Sequence, residues 1–595
     1  MQVGADTGGT FTDLVDDAGA VRKVSSTPDD PGEALRSGLR GLAGPGRPAR
    51  LAYGTTVATN ALLERGGAKV ALLATRGFTD VVEIARQTRP SLYDTFADRP
   101  EPLVERACRV AVGGRLDATG RELEPLSADD VPSLPKDVDA VAVSLLHADL
   151  SAEHERIVAR ALRARGVDVT CSHQVSPEFR EYERTITTVL NAYLRPRCRS
   201  YLLGITDLAD DVLVMTSGGG LVPAAEAAEL PAALLLSGPA GGVRAAAAVA
   251  TACGFADAVS FDMGGTSTDV CLVRGGAPEP APERSVAGFP VRLPAIDVHT
   301  IGAGGGSIAR LDPGGALVVG PQSAGAVPGP ACYGRGGEHP TVTDADLVLG
   351  RIAGDATFPD LGRLDVAAAR GALERAGVSA EGVVAVVDAS MERAVRRVTV
   401  ERGVDPRDVA LVAFGGAGPL HACALADALG MPAVVVPPRA GVLSAVGLLT
   451  APRRREIVRS WPDRASRDGL DAALAALAAE AVALVGTGAR VETFVDCRYA
   501  GQSHELTVGE PDAFHAEHGR RNGYTRPDDP VEVIALRARA QLDAPLDVTA
   551  LPDVDRARVR GPAVVAEPDV TVWVADGWAA EVRELGAWVL RRCGS

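Results

Sequence analysis

The 595-residue sequence predicts a two-lobed α/β protein with a smaller C-terminal α+β part. Three observations carry that expectation. A glycine-rich octapeptide occurs twice, as DTGGTFTD at 6–13 and DMGGTSTD at 262–269. Each copy sits between short apolar runs, the context of a strand–turn–strand hairpin. Around both copies apolar strand-like runs alternate with helical segments, which is the pattern of α/β layers. A chain of this length also exceeds one hydrophobic core.

The elements follow in order. MQVGAD, TFTDLVDDAG and AVRKVSST read as strands around the first glycine turn. LAYGTTVATNALLERGG at 51–67 reads as a strand, a loop and a helix, and KVALLATRGF as a buried strand. VDAVAVSLLHA at 138–148 is a further strand. SAEHERIVARALRARG at 151–166 is a helix with Ser151 as its N-cap. EYERTITTVLNAYLRP at 181–196 is a helix that Pro196 should stop. A second cycle begins with VLVMTSGGGLV at 212–222. LLLSGPAGGVRAAAAVA at 234–250 reads as strand, turn and Ala-rich helix, and AVSFDMGGTSTDVCLV as strand, loop and strand. VVAVVDASMERAVRRVTVERG at 383–403 is a long helix, and 408–430 a strand, a glycine turn and a helix. LDAALAALAAEAVALVG is helical, and the tail from 490 is strand-rich. The composition shift places a boundary near 455–465. The expected division is 1–175, 176–455 and 456–595.

Composition narrows the class. A net charge of −16 argues against a nucleic-acid surface. Nine scattered cysteines without a CxxC pair read as buried thiols in a reducing compartment. The N-terminal residues lack a signal-peptide pattern, and no apolar run reaches the length of a membrane span. A cytoplasmic location without membrane contact is expected.

The paired octapeptides carry the chemistry. Glycines let backbone approach an anion closely, and turn N–H groups form anion-binding concavities. Gly8, Gly9, Thr10 and Thr12 in the first loop match Gly264, Gly265, Thr266, Ser267 and Thr268 in the second. Asp6 and Asp262 offer carboxylates for Mg²⁺, which prefers one or two carboxylates plus phosphate oxygens. A lone Gly-Gly hairpin would as readily be a plain turn; a matched pair points to two halves of a polyphosphate clamp. FGGAGPLHA at 414–422, with Gly415, Gly416 and Gly418, opens a helix and suits a nucleotide, although standing alone it reads more readily as a simple strand-to-helix connection. GAGGGS at 302–307 is either a phosphate cradle or a close-packed bend. His421 reads as a locally bonded helix-start residue, and His299 as a core histidine or a site residue. His515 and His518 form H-x-x-H, which has metal-ligand spacing but reads as a solvated helix without a third ligand nearby.

These blocks resemble the actin/Hsp70/sugar-kinase ATPase superfamily with ribonuclease H-like lobes, and more specifically the hydantoinase A/5-oxoprolinase family. YGTTVATNALLER, ARQTRPSLYD, EYERTITTVLNAYLRP, SGPAGGV, IDVHTIGAGGGSIA, GPQSAGAVPGPACYGRGG and PTVTDADLVLGR run with the glycine loops in family order over roughly 1–450. The region after 450 resembles the family more loosely and is abbreviated, although GQSHEL keeps Glu505. The resemblance implies an ATP- and Mg²⁺-dependent enzyme that phosphorylates the carbonyl oxygen of a cyclic amide. Asp6 and Asp262 would be catalytic and metal-holding. Thr55, Thr56, Arg86, Tyr93 and Arg184 would meet the substrate, with an interdomain salt bridge the competing role for each arginine. It implies an oligomer with a hydantoinase B-type subunit that completes ring opening. The ketone-carboxylase relatives share the same clamp, so a phosphorylating subunit of an acetone-carboxylase-like ligase stays open. A non-catalytic nucleotide-binding paralogue is the third reading.

Overall fold

The computed structural model describes residues 1–27, 30–44, 46–355, 357–358 and 362–594. Two large sheets organise it. The first lobe begins with β1 (Gln2–Thr7), β2 (Phe11–Asp16), β3 (Val21–Ser25) and β4 (Arg50–Thr55). β1 is antiparallel to β2 and parallel to β4. Asp211–Met215 runs parallel to β4 on its other side. The second lobe repeats the unit. Ala258–Met263 is antiparallel to Thr268–Arg274 and parallel to Ala410–Phe414. The registers coincide: Asp6 faces Asp13 as Asp262 faces Asp269, and Thr7 faces Thr12 as Met263 faces Thr268. A third, all-parallel sheet of Asp168–Cys171, Ala140–Ser144, Val70–Thr75 and Arg109–Val112 completes the first lobe.

Both large sheets draw strands from the end of the chain. Arg453–Ser460, Val531–Leu542, Arg490–Tyr499 and Leu506–Val508 continue the first-lobe sheet beyond Leu221–Pro223. Trp588–Arg592, Trp578–Val582 and Val559–Arg560 continue the second beyond Val434–Val436. The Leu470–Val485 helix packs Leu477, Ala481 and Val485 with Val495, Tyr499 and Phe514 in a core of its own. The C-terminal region therefore adds to both lobes.

Two helices join the lobes, Gly238–Ala252 and Leu443–Leu449. They meet through glycine. A methyl at Gly447 would lie 1.8 Å from the Gly241 carbonyl oxygen, and one at Gly4 in β1 would lie 2.1 Å from that of Ala445. Only a hydrogen side chain permits these approaches.

Several local expectations change. The helix expected from Ser151 starts at Glu153 with Ala152 at its N-cap, because the Ser151 N–H closes a turn onto His147. Pro196 does not end its helix, which runs from Glu181 to Leu203 with Cys198 and Leu202 buried; tertiary burial outweighs the missing hydrogen bond. The apolar run before SGPAGG is a 3₁₀ turn at Pro231–Leu234 rather than a strand. Among the described residues no helix is long and apolar enough to cross a membrane.

Candidate active site

Both glycine hairpins close in the same way. The Gly8 N–H donates to the Phe11 carbonyl oxygen at 2.9 Å, and the Gly264 N–H to that of Ser267 at 3.0 Å. None of Gly8, Gly9, Gly264 and Gly265 has a positive φ. Neither backbone twist nor close packing demands glycine at Gly9 and Gly265, and the space beside them is open. A methyl at Gly9 would meet nothing within 4 Å, and one at Gly265 would meet only Thr10 Oγ1, at 4.0 Å. That second contact joins the loops: Gly265 on one lobe stands beside Thr10 on the other.

The hydroxyls divide by exposure. Thr10 and Ser267 are half-buried and Thr266 is exposed, so all three front the space between the loops. Thr12 and Thr268 are fully buried and act underneath. Thr12 Oγ1 bonds Thr7 Oγ1 at 3.3 Å and Ser26 Oγ at 3.2 Å. Thr268 Oγ1 donates to the Ala303 carbonyl oxygen at 2.5 Å. The GAGGGS segment is a close-packed support. Gly305 and Gly306 donate to the carbonyl oxygens of Gly264 and Gly265 at 3.0 and 2.6 Å, and a methyl at Gly304 would strike Gly265 and Thr266 backbone at 2.7 Å. The third turn lies behind Asp262. Gly415 has φ 78°, and a methyl on it would lie 2.3 Å from Asp262 Oδ1. Gly416 has open space, and Gly418 begins the Gly418–Leu429 helix against Phe261.

Electrostatics tie the hairpins together. Burial raises Asp6 to about 7, with the Asp13 carboxylate adding to the rise and Asp269 contributing across the cleft. Burial holds Asp262 well above the ordinary carboxylate range, and Asp269, Asp6 and Asp13 push it further. Burial raises Asp269 to about 6 against a Thr300 hydrogen bond. Burial also raises Asp13, which Lys23 Nζ meets at 2.9 Å. Four carboxylates thus face one ammonium. Asp13 and Asp269 were legible as the last residue of each octapeptide. In a hairpin, positions 6 and 13 pair across the turn and share a face, a consequence that a count of glycines does not reveal. The four carboxylates offer oxygen donors of the kind a hard divalent cation takes.

The expected substrate residues separate. Thr55 is buried at the end of β4, and half-buried Thr56 starts the Val57–Leu63 helix. Gly54 between β1 and the helices stands against Asp6, since a methyl there would lie 2.7 Å from Asp6 Oδ1. These threonines therefore adjoin the clamp. Arg86 forms a forked pair with Glu183, its Nε at 2.7 Å from Oε1. Arg184 is placed in the interior at 0% exposure. It donates to Asp149 at 2.6 Å and to the Glu178 and Leu145 carbonyl oxygens at 2.8 and 3.1 Å. Its guanidinium braces the first lobe and is not open to a ligand. Tyr93 is 96% exposed.

The histidines resolve as structure. His421 is fully buried between Asp388 at 2.7 Å and Asp346 at 3.2 Å. Burial alone would lower its pKa, but the two carboxylates carry it to about 10. His518 is 3% exposed rather than solvated, and its Nδ1 stands 2.9 Å from the Tyr524 carbonyl oxygen. His515 Nδ1 meets the Tyr499 hydroxyl at 2.8 Å. His299 pairs with Val270 at the sheet edge. Glu155, Cys171 and His173 also cluster, but Glu155 is spent on Leu145 N–H, Ser172 Oγ, and the N–H and Nδ1 of His173.

Fold and clamp together define a two-lobed ATPase-like protein. The hydantoinase/oxoprolinase N-terminal region matches residues 2–166, and the hydantoinase/oxoprolinase domain matches 184–457. The chain belongs to the hydantoinase/oxoprolinase family. It is 36% identical to the caprolactamase subunit alpha of Pseudomonas jessenii, over 97% of each chain. The crystal structure of the ATP-dependent caprolactamase from Pseudomonas jessenii superposes with a TM-score of 0.87 at 32% identity, over all of both chains. Nucleotide-free acetone carboxylase superposes with a TM-score of 0.77 at 26% identity, covering all of this chain and 99% of that one.

Proposed function

We propose that this chain is the ATP-dependent phosphorylating component of a cyclic-amide hydrolase. The carrying observation is the apposition of the two hairpins, Gly265 of one lobe beside Thr10 of the other, with Asp6 and Asp262 at matching positions on them. The similarity to an ATP-dependent caprolactamase along the whole chain supports the reading.

In this reading the N–H groups of Gly8, Gly9, Gly264 and Gly265 and the hydroxyls of Thr10, Thr266 and Ser267 hold the phosphates. Gly415, Gly416 and Gly418 form the nucleotide end. Asp6 and Asp262 would hold Mg²⁺, with Asp13 and Asp269 beside them, and the ion would neutralise phosphate charge during transfer. Thr55 and Thr56 orient the substrate carbonyl. An amide carbon is a poor electrophile. Attack of the amide oxygen on the γ-phosphorus breaks the bond to ADP and leaves an O-phosphorylated, activated carbon. Most of the rate comes from position and from closing out water. A B-type subunit completes ring opening.

ADP release tests this, measured against lactams, imides and hydantoins with and without a co-purified partner. Release stimulated by a cyclic amide supports the reading. The acetone carboxylase similarity favours a second one, the phosphorylating subunit of a ketone carboxylase. Release that needs a ketone plus bicarbonate would establish that alternative.

A further inference from the structure

The two hairpins differ at the strand beside them. In the first lobe Lys23 on β3 stands opposite Asp13 on β2, and Asp13 opposite Asp6 on β1. Residues directly opposite in an antiparallel ladder share a face, so these three side chains form one row. The second lobe builds the same row with a different end. Thr300 stands opposite Asp269, and Asp269 opposite Asp262. Thr300 Oγ1 donates to Asp269 Oδ1 at 2.5 Å, whereas Lys23 Nζ lies 2.9 and 3.2 Å from the two oxygens of Asp13. One row ends in a hydroxyl and the other in an ammonium.

Composition sets that ammonium apart. Three of the 61 basic residues are lysines, at positions 23, 69 and 136, and the rest are arginines. Among the described residues Lys23 is the one lysine in an ion pair. Arginine suits an ordinary pair, because its planar fork meets a carboxylate with two parallel bonds. Lysine offers instead a compact point charge with three rotatable donors. One N–H to each oxygen of Asp13 leaves the third without a partner among the described residues. The stem crosses the Phe11 ring, with Nζ 5.1 Å from its centroid, and the side chain is half-buried.

Position brings that donor to the first glycine loop. Three residues past Lys23, the Ser26 N–H donates to the Thr10 carbonyl oxygen at 3.0 Å, and Ser26 Oγ to that of Gly8 at 2.8 Å. The end of β3 is thus fastened to the loop itself. The charge of Lys23 opposes the rise in Asp13 and Asp6 on its own lobe and in Asp262 on the other, so it reaches across the cleft. Neither octapeptide contains a basic residue. The loops offer dipoles and hydroxyls, and Lys23 brings the full positive charge that they lack.

We infer that Lys23 is a further catalytic residue of this chain, holding Asp13 with part of its ammonium and giving its remaining N–H to the γ-phosphoryl group during transfer. As the bond from phosphorus to ADP breaks, its electron pair stays on the ADP oxygen, and the amide oxygen forms the new bond to phosphorus. Lys23 gives up no proton; its charge offsets that of the phosphoryl oxygens. Asp13 is the positioning residue for the ammonium. This role rests on the phosphorylation reading above for the acceptor, and on the row and its loop for the phosphoryl contact.

Lys23→Ala and Lys23→Arg test it in the full chain with any co-purified partner. Two measurements are made with Mg²⁺ present: equilibrium binding of ATP and of ADP, and single-turnover ADP formation with caprolactam, 5-oxoproline and hydantoin as acceptors. Lys23→Ala should lower the rate roughly 100–1,000-fold, the range for one preorganised donor. Its affinity for ATP should fall roughly 10–100-fold while that for ADP stays unchanged, since the γ-phosphoryl group alone loses a charged hydrogen bond. Lys23→Arg should restore the unfolding temperature, by keeping a cation on Asp13, without restoring the rate. A lysine that merely braces Asp13 would weaken ATP and ADP equally, or be fully rescued by arginine, and either result overturns the inference. Full activity in Lys23→Ala does the same. The binding measurement needs no acceptor, so the two readings fail separately. A Lys23-dependent preference for ATP over ADP, without acceptor-stimulated ADP release, sinks the amide step and keeps Lys23 at the γ-phosphoryl group. Acceptor-stimulated release undiminished by Lys23→Ala does the reverse. Binding of neither nucleotide overturns both.

Discussion

Gly447 faces the Gly241 carbonyl oxygen so closely that a single added methyl would sit 1.8 Å from it. The two residues lie on the helices that join the lobes, so the contact sets how near those helices cross. Gly447→Ala should therefore push the pair apart. The expected loss is about 1–3 kcal/mol from overpacking, read as a lower unfolding temperature, together with reduced ATP turnover. An unchanged unfolding temperature would show that the crossing relaxes freely.

Asp262→Ala should abolish turnover while nucleotide binding falls far less, and Asp6→Ala should behave in the same way. Loss of one preorganised electrostatic contact corresponds to about 2.7–4 kcal/mol of transition-state stabilisation, or roughly 100–1,000-fold in rate. Single-turnover ADP formation beside equilibrium ATP binding distinguishes the two effects. An active Asp262→Ala enzyme would remove this carboxylate from the chemistry.

The raised carboxylates give stability a definite pH dependence in the absence of a cation. Asp6 moves from 3.8 to about 7, and Asp269 from 3.8 to about 6. Raised folded-state values mean that the folded chain binds protons which the unfolded chain has released. These groups therefore destabilise the fold progressively as pH climbs from about 4 to about 7. Mg²⁺ competes with those protons. Its stabilising shift in unfolding temperature should be small at pH 5 and grow toward pH 8. A shift independent of pH would place the ion elsewhere.

Glu505 ties the first lobe to the C-terminal strands. Its carboxylate receives Arg292 at 2.6 Å and Arg180 at 2.7 Å. Glu505→Ala leaves Arg180 without its carboxylate while Arg292 keeps Glu178 at 2.7 Å, and should cost about 1.5–3 kcal/mol, the worth of a charged hydrogen-bonded contact. Glu505→Gln should recover part of the loss. Thermal unfolding of the two variants checks the order.

His518→Ala should lower stability without changing metal content, because this side chain fills a space between Tyr499, Phe514 and Tyr524. Metal analysis of wild type and variant would show equal values. Metal lost with the histidine would restore the ligand role that its H-x-x-H spacing suggests.

Much of the clamp was legible because a hairpin is local. Asp6, the glycines and the flanking strands lie within fifteen residues, Gln2 to Asp16, and the second copy repeats them. What escaped was non-local. Arg184 stands in a block that resembles a substrate site, yet Asp149 and two carbonyl groups enclose it, and nothing in its neighbours' spacing announces that. Pro196 looked like a helix end because its own chemistry says so, but burial of Cys198 and Leu202 carries the helix through. His518 looked solvated until Tyr499 and Phe514 arrived from other elements.

The last quarter of the chain changes how such a cleft can move. Strand 531–542 belongs to one sheet and strand 559–560 to the other, so residues 543–558 form another tie between them, besides the two glycine-crossed helices. Val548 and Leu551 anchor that tie in the second lobe, and Arg439 holds Pro552 from the rear. Three tethers along one side resist sliding and leave rotation about their common line. The halves should part like the covers of a book, with the spine fixed and the widest travel at the open edge.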